Sequence, residues 1–291
     1  MTSAARLFLV DGSSNLYRAF HALPPLSNSQ GLPTHAILGF TSMLLKLLRE
    51  DAPEALAVAF DGPGPTARHE LFTEYKANRP PMPDPLARQI PYVHQVLQAM
   101  RVPVLMVSGE EADDILASAA VRAAGEGYRV VLISGDKDLL QLVGDTIVVR
   151  DTMKGKTWGP AEVAQRYGVS PRQFPELLAL MGDSIDNIPG IPGVGDKTAR
   201  DLLQRFGSVE AVLERATEIA SPKLREAVRT HAEQARLSQR LATIRTDLPL
   251  VWRPADFRRV PPDVPSLLTL FRQLGFSRLA EQFSQPTLGG V

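Results

Sequence analysis

Four short apolar runs, each closing on glycine, set the tightest limit on the fold: "RLFLVDG", "ALAVAFDG", "VPVLMVSG" and "YRVVLISGD". Their hydrophobicity is continuous rather than alternating, the pattern of strands covered on both faces. The intervals hold helical apolar spacing, as in "AILGFTSMLLKLLRE" and "DDILASAAVRAAGEG". This alternation predicts an α/β fold with a mostly parallel central sheet flanked by helices. "TIVVRD" is expected to add an edge strand. From about residue 170 the strand signals fade, so the chain divides into an α/β core over 1–180 and a helical region over 181–291.

The acids fall where such a sheet would use them. Asp11 ends the first apolar run and Asp61 follows "ALAVAF". Asp136 and Asp138 follow "VVLIS", while Glu111, Asp113 and Asp114 lie where the third run passes into a helix. Ligands of open parallel sheets collect outside the carboxyl ends of strands, so these residues should meet at one edge. Glu111 and Asp114, three apart, fall on one helical face, and Asp183 and Asp186 can have the same relation. Taken singly, each acid reads as a turn residue or helix cap. Together they would repel unless cations neutralised them.

An all-oxygen set points to Mg²⁺ or Mn²⁺ rather than zinc. Two such ions can clamp the attacking and leaving oxygens of phosphodiester hydrolysis. The chain has no cysteine, which excludes disulfides, thiolate metal sites and a cysteine nucleophile. "GIPGVG" is only a loose match to a dinucleotide-binding glycine pattern, because it follows a turn rather than a strand.

Formal net charge is zero, yet neutralising nine of the 32 acids would leave the 32 basic residues in excess by nine, so nucleic acid is not excluded. The basic, proline-rich stretch 62–91, "GPGPTARHELFTEYKANRPPMPDPLARQIP", breaks the rhythm of the core. Insertions of this length are usually functional or disordered. No apolar run approaches the length of a membrane helix and no signal-peptide core is evident, so a cytoplasmic setting without membrane is expected.

Seven segments in order, "LFLVDGSSNLYRAFHAL", "AVAFDG", "EYKANRP", "EEADDILA", "ISGDKDLLQL", "MGDSIDNIPGIPGVGDKTA" and "TDLPL", resemble the 5′-nuclease family of flap endonucleases and 5′-3′ exonucleases. The closest likeness is to the nuclease domain of bacterial DNA polymerase I. The resemblance implies a PIN-like, 5′-nuclease fold. It also implies a metal site of two or more Mg²⁺ or Mn²⁺ ions formed by Asp11, Asp61, Glu111, Asp113, Asp114, Asp136, Asp138, Asp183 and Asp186. One ion would belong to the first four of these and the other to the last four, with Asp114 between them or behind them. Ile185 departs from the family pattern, where a small polar residue is usual.

By the same resemblance, residues 62–91 form a helical arch through which a free 5′ strand passes. Lys76 and Arg79 contact the scissile phosphate, and Tyr75 is available to stack on a base. Arg18, Phe20 and His21 match a substrate-lining segment. A helix–hairpin–helix over about 188–206 would hold duplex phosphates through Gly193, Gly195, Lys197 and Arg200, with a K⁺ ion in the turn.

The implied partners are DNA with a 5′ flap or 5′ single-stranded end, an RNA–DNA hybrid, and a polymerase domain fused or acting in trans. The implied setting is the bacterial nucleoid. Two other readings fit parts of the pattern: a non-catalytic junction-binding module, which a Mg²⁺-dependent flap assay separates, and a PIN-like ribonuclease, which comparison of RNA with DNA flaps separates.

Overall fold

The computed structural model describes residues 4–284. Among the described residues six strands form one sheet: β1 (Arg6–Asp11), β2 (Ala55–Ala59), β3 (Val104–Leu105), β4 (Arg129–Ile133), β5 (Ile147–Asp151) and β6 (Lys156–Trp158). They lie in the order β3-β2-β1-β4-β5-β6. All neighbouring pairs are parallel except β5 with β6. The four apolar runs supply β1 to β4 as expected. "TIVVRD" forms β5, but it is not the edge: the chain turns back after Asp151 and adds β6.

Successive residues of β1 serve opposite faces. Leu7 and Leu9 join one core with the helix Ala112–Gly125, and Phe8 and Val10 join the other with the helices His35–Asp51 and Ile90–Ala99. This two-sided burial is why the strands read as unbroken apolar runs. The second core also takes Leu267, Leu270, Phe271 and Phe283. The helices Val264–Leu274 and Ser277–Ser284 therefore pack back on the sheet layer, and the packing does not follow the division expected near residue 180. A third core, built around Leu177, Leu180, Leu202, Leu203 and Val228, belongs to the intervening helices.

Strand order places the site. From β1 the chain steps outward to β2 and β3, then returns to the other flank of β1 with β4. The carboxyl ends of β1 and β4 thus border a reversal of direction, where helices leave on opposite faces and a crevice opens. Among the described residues, no helix is long and apolar enough to cross a membrane.

Candidate metal and nucleic-acid site

β1 delivers Asp11 to the crevice and the helix Gly12–Ala22 begins at once. Asp11 caps that helix, its Oδ1 accepting from Ser14 N at 2.9 Å, while Oδ2 accepts from Ser134 Oγ at 2.6 Å. The cap and site readings of this residue are compatible. Gly12 is required for close approach, since a Cβ there would lie 2.7 Å from the Ala59 carbonyl oxygen. Past β4, Ser134 Oγ also accepts from Asp136 N at 3.0 Å, and Asp136 Oδ1 accepts from Asp138 N at 2.9 Å. Past β2, Asp61 Oδ1 accepts from Ala112 N at 2.9 Å and so ties its strand to the helix that starts beside Glu111 and Asp113.

Electrostatics mark these acids as one group. Burial pushes the Asp11 carboxyl up to about 7, against the hydrogen bonds from Ser134 and Ser14, and the charges of Asp136 and Asp61 push the same way. Burial, then Asp136 and Asp11, hold Asp113 well above the ordinary carboxylate range. Asp138 also rises to about 7 through burial and Asp136, and its Oδ1 is buried without a hydrogen-bond partner among the described residues. Hard oxygen donors that resist ionisation and include an orphaned atom fit divalent cations. Among the described residues no three acids are arranged as a ready-made chelate. Mg²⁺ keeps several waters and takes few direct carboxylates, so a looser set suits it.

Asp183 and Asp186 lie on a tight turn rather than a helix, bridged by Asp183 with Ile188. Gly182 at φ 78° and Gly190 at φ 61° let the backbone double back there; a Cβ on Gly182 would lie 2.7 Å from the Ile188 carbonyl oxygen. Protein cations enter among the acids. Lys76 Nζ lies 2.8 Å from Glu111 Oε2 and 3.7 Å from Asp186 Oδ2, and Arg79 Nη2 lies 2.5 Å from Asp186 Oδ1. Lys137 pairs with Asp183 and approaches Asp138 Oδ1 at 3.6 Å. Burial alone would lower Lys76, but Glu111, Tyr75 and Asp186 keep its ammonium above the usual lysine range.

One expectation needs correction and another is narrowed. Tyr75 is only 3% exposed, and its hydroxyl lies 3.2 Å from Glu111 Oε2 and 3.3 Å from Asp186 Oδ2. A ring enclosed in this way orients carboxylates and offers no face to a base. Asp114, expected between the ions or behind them, lies behind the acid group. Arg68 grips both its oxygens, at 2.6 and 2.8 Å, and Arg245 N donates to Oδ1 at 2.8 Å. Its lone pairs are taken by a buried bidentate pair, so it anchors the Ala112–Gly125 helix instead of an ion. Arg68 also reaches Glu111 Oε2 at 3.4 Å.

Sequence reading missed Arg68, Ser134 and Lys137. Only Lys137 carried a signal, its place between the two acids of "GDKD".

Arg18 borders the same cleft, beside Gly135 and Asp136, with Nη2 held by Asp151 Oδ1 at 2.7 Å and Nη1 without a partner among the described residues. Phe20 packs into the core beneath, its ring 4.7 Å from that of His35, while His21 is exposed at the helix end. Of these three, Arg18 alone faces the acids. The helix pair that carries the turn is Phe174–Met181 and Asp196–Phe206, so the element begins before residue 188. Gly193, at φ 82°, and Gly195 are exposed in the connection, and Lys197 is exposed with no ion pair among the described residues. Arg200 pairs with Asp196 one turn away.

Comparison with known proteins agrees with this architecture. Residues 6–168 match the model of the 5′-3′ exonuclease N-terminal resolvase-like domain, and residues 169–265 match that of the 5′-3′ exonuclease C-terminal SAM fold. DNA polymerase I of Bacillus caldotenax is 45% identical over 97% of this chain and 33% of its own length. The 5′-3′ exonuclease of Aquifex aeolicus is 40% identical over 95% of this chain and 94% of its own. The chain thus spans about a third of the polymerase relatives and nearly all of the exonuclease. Among solved structures, T5 5′-exonuclease with bound zinc superposes with a TM-score of 0.71 at 20% identity, covering 96% of this chain and all of that one. The catalytic core of Rad2 in complex with DNA gives 0.65 at 16% identity, covering 97% of this chain and 92% of that one. Two adjoining family models and relatives of this identity place the chain in the 5′-3′ exonuclease family.

Proposed function

We propose that the chain is a structure-specific 5′ nuclease. It hydrolyses phosphodiester bonds near the junction of duplex and single-stranded 5′ DNA, removing flaps and RNA primers in replication and repair. The observation that carries this reading is that Asp11, Asp113, Asp136 and Asp138 lie close enough to act on one another, burial and neighbouring carboxylates raising Asp11, Asp113 and Asp138. Asp61, Glu111, Asp183 and Asp186 complete the ligand set, with Mg²⁺ or Mn²⁺ as the ions. Bound there, the ions supply Lewis-acid polarisation of the phosphate and charge for the oxygens on either side of the scissile bond.

The chain's own residues orient and neutralise. Ser134 and Ser14 fix Asp11, and Tyr75 fixes Glu111 and Asp186. Lys76 and Arg79 carry positive charge at the acids' rim, where they meet the equatorial oxygens of the transition state. Gly193, Gly195, Lys197 and Arg200 grip duplex phosphates through backbone N–H groups and charge without reading sequence, with K⁺ bound in the turn. A polymerase domain, fused or in trans, is the natural partner, and the setting is the cytoplasm at the nucleoid.

The test is a 5′-end-labelled flap duplex incubated with and without Mg²⁺, using wild type, Asp136→Asn and Asp183→Asn. Cleavage at the junction only with metal, lost in both variants while flap binding persists, is expected. Wild-type turnover in both variants would remove the assignment, and cleavage of RNA flaps alone would replace it with a ribonuclease.

A further inference from the structure

Beyond the charged contacts, the loop bearing Lys76 and the loop bearing Asp186 are stitched together by neutral hydrogen bonds. Lys76 N donates to Asp186 O at 3.0 Å. Asn78 Nδ2 donates to Ser184 O at 2.6 Å, and Asn187 Nδ2 donates to Glu74 O at 2.6 Å. Each loop therefore lends one amide side chain to a carbonyl of the other. Lys76 at φ 55° and Asn187 at φ 56° both hold the left-handed conformation. For residues with a Cβ this is sparsely populated and persists where the surroundings over-determine it. Here the surroundings are the opposite loop.

We propose that Asn78 and Asn187 are positioning residues for the nuclease reaction, fastening residues 72–79 to residues 183–188 so that Lys76 and Arg79 meet the scissile phosphate in register with the loop that carries Asp186. The inference rests on the nuclease reading for its consequence and on the hydrogen bonds for its geometry. Charge attraction alone does not fix this arrangement: a lysine ammonium is a point charge on a flexible stem and accepts many geometries. A phosphate entering the cleft also competes with Asp186 for Lys76 and Arg79, so the ion pairs loosen when substrate is bound. The amide-to-carbonyl bonds are neutral and remain. They keep the loop backbones in register while the cations change partners. Asn78 is exposed and adds nothing to a core, so its bond to Ser184 serves this joint alone.

The variants are Asn78→Ala and Asn187→Gly, the glycine keeping the left-handed backbone available. Hydrogen exchange on the free chain should rise together in 72–79 and 183–188 for either variant, with little change in melting temperature. On flap DNA with Mg²⁺, kcat should fall about tenfold while flap Kd stays near the wild-type value, since small misplacement at a reacting centre acts on rate. In a Lys76→Ala background, Asn78→Ala should add little further loss. Exchange rising only in the mutated loop, affinity falling in step with rate, or full multiplication of the two losses would each overturn the proposal. A wild-type chain that fails to cut flaps would overturn the nuclease reading and the reaction role with it, whereas the joint is judged by exchange alone.

Discussion

Replacing Asp138 by Asn should make the metal-free protein more stable at pH 8 and relatively less so at pH 5. The folded-state carboxyl is raised from 3.8 to about 7 by burial, with Asp136 adding repulsion that Lys137 only partly offsets. A group whose folded value lies above its unfolded one binds more protons in the fold, so stability is lost as pH climbs between the two values. The loss accrues at about 1.4 kcal/mol per pH unit and is complete just above 7. Between pH 5 and pH 8 the advantage of the Asp138→Asn variant over the wild type should therefore widen by about 2–3 kcal/mol, or roughly 3–5 °C in Tm for a chain of this size. Thermal unfolding by circular dichroism in a chelating buffer at the two pH values measures it. Comparing the two differences removes any constant effect of the amide on packing. Excess Mg²⁺ should reverse the order, because ligand binding stabilises only a fold that can hold it. A Tm difference that is the same at both pH values would show that Asp138 is not held in an ionisation-resistant site.

Arg68→Ala should destabilise the fold by about 3–5 kcal/mol in denaturant unfolding, because it strands a buried Asp114 carboxylate. If Asp114 were instead a ligand, the same variant would leave stability near wild type. Gly190→Ala should destabilise the turn that carries Asp183 and Asp186, since position 190 is held at φ 61° and a Cβ there would strike the Gly182 backbone; proteolysis of 182–190 reads it, and unchanged protection would contradict the packing. Lys76→Ala should lower single-turnover cleavage about a hundredfold and flap affinity far less, whereas equal losses would make Lys76 a binding residue.

The strands and their acids were legible because burial on both faces leaves an unbroken apolar run, and the acid that follows such a run has only one edge to occupy. Asp114 was illegible on the same grounds. Its spacing from Glu111 puts both on one helical face, but nothing local says whether a metal or Arg68, 46 residues away, waits there. Tyr75 misled because its neighbours are polar and proline-rich, yet its ring is buried in a core of residues distant in sequence and its hydroxyl is held by Glu111 and Asp186. β6 is only three residues long, too short for periodicity to register. The return of Val264–Leu274 to the sheet depends on which apolar helix face meets which core, and amphipathic spacing does not encode that choice.

The site holds two kinds of cation, and exposure separates them. The Arg68 side chain is 9% exposed against an Asp114 side chain at 2%, with its guanidinium also bonded to the Leu241 and Thr243 carbonyls. Such a pair cannot change partners without stranding a charge, so it belongs to the scaffold. Arg79 is 46% exposed, and Lys76 and Lys137 are 16% and 27% exposed. These three can turn from carboxylate to phosphate with solvent at hand. On the proposed reading a neutral chain can attract a polyanion: divalent ions would neutralise the acids, and the cations that had balanced those acids would become available to the backbone of the substrate. On this logic, affinity for flap DNA should rise with Mg²⁺ in the wild type and respond only weakly to Mg²⁺ once Lys76, Arg79 and Lys137 are replaced together.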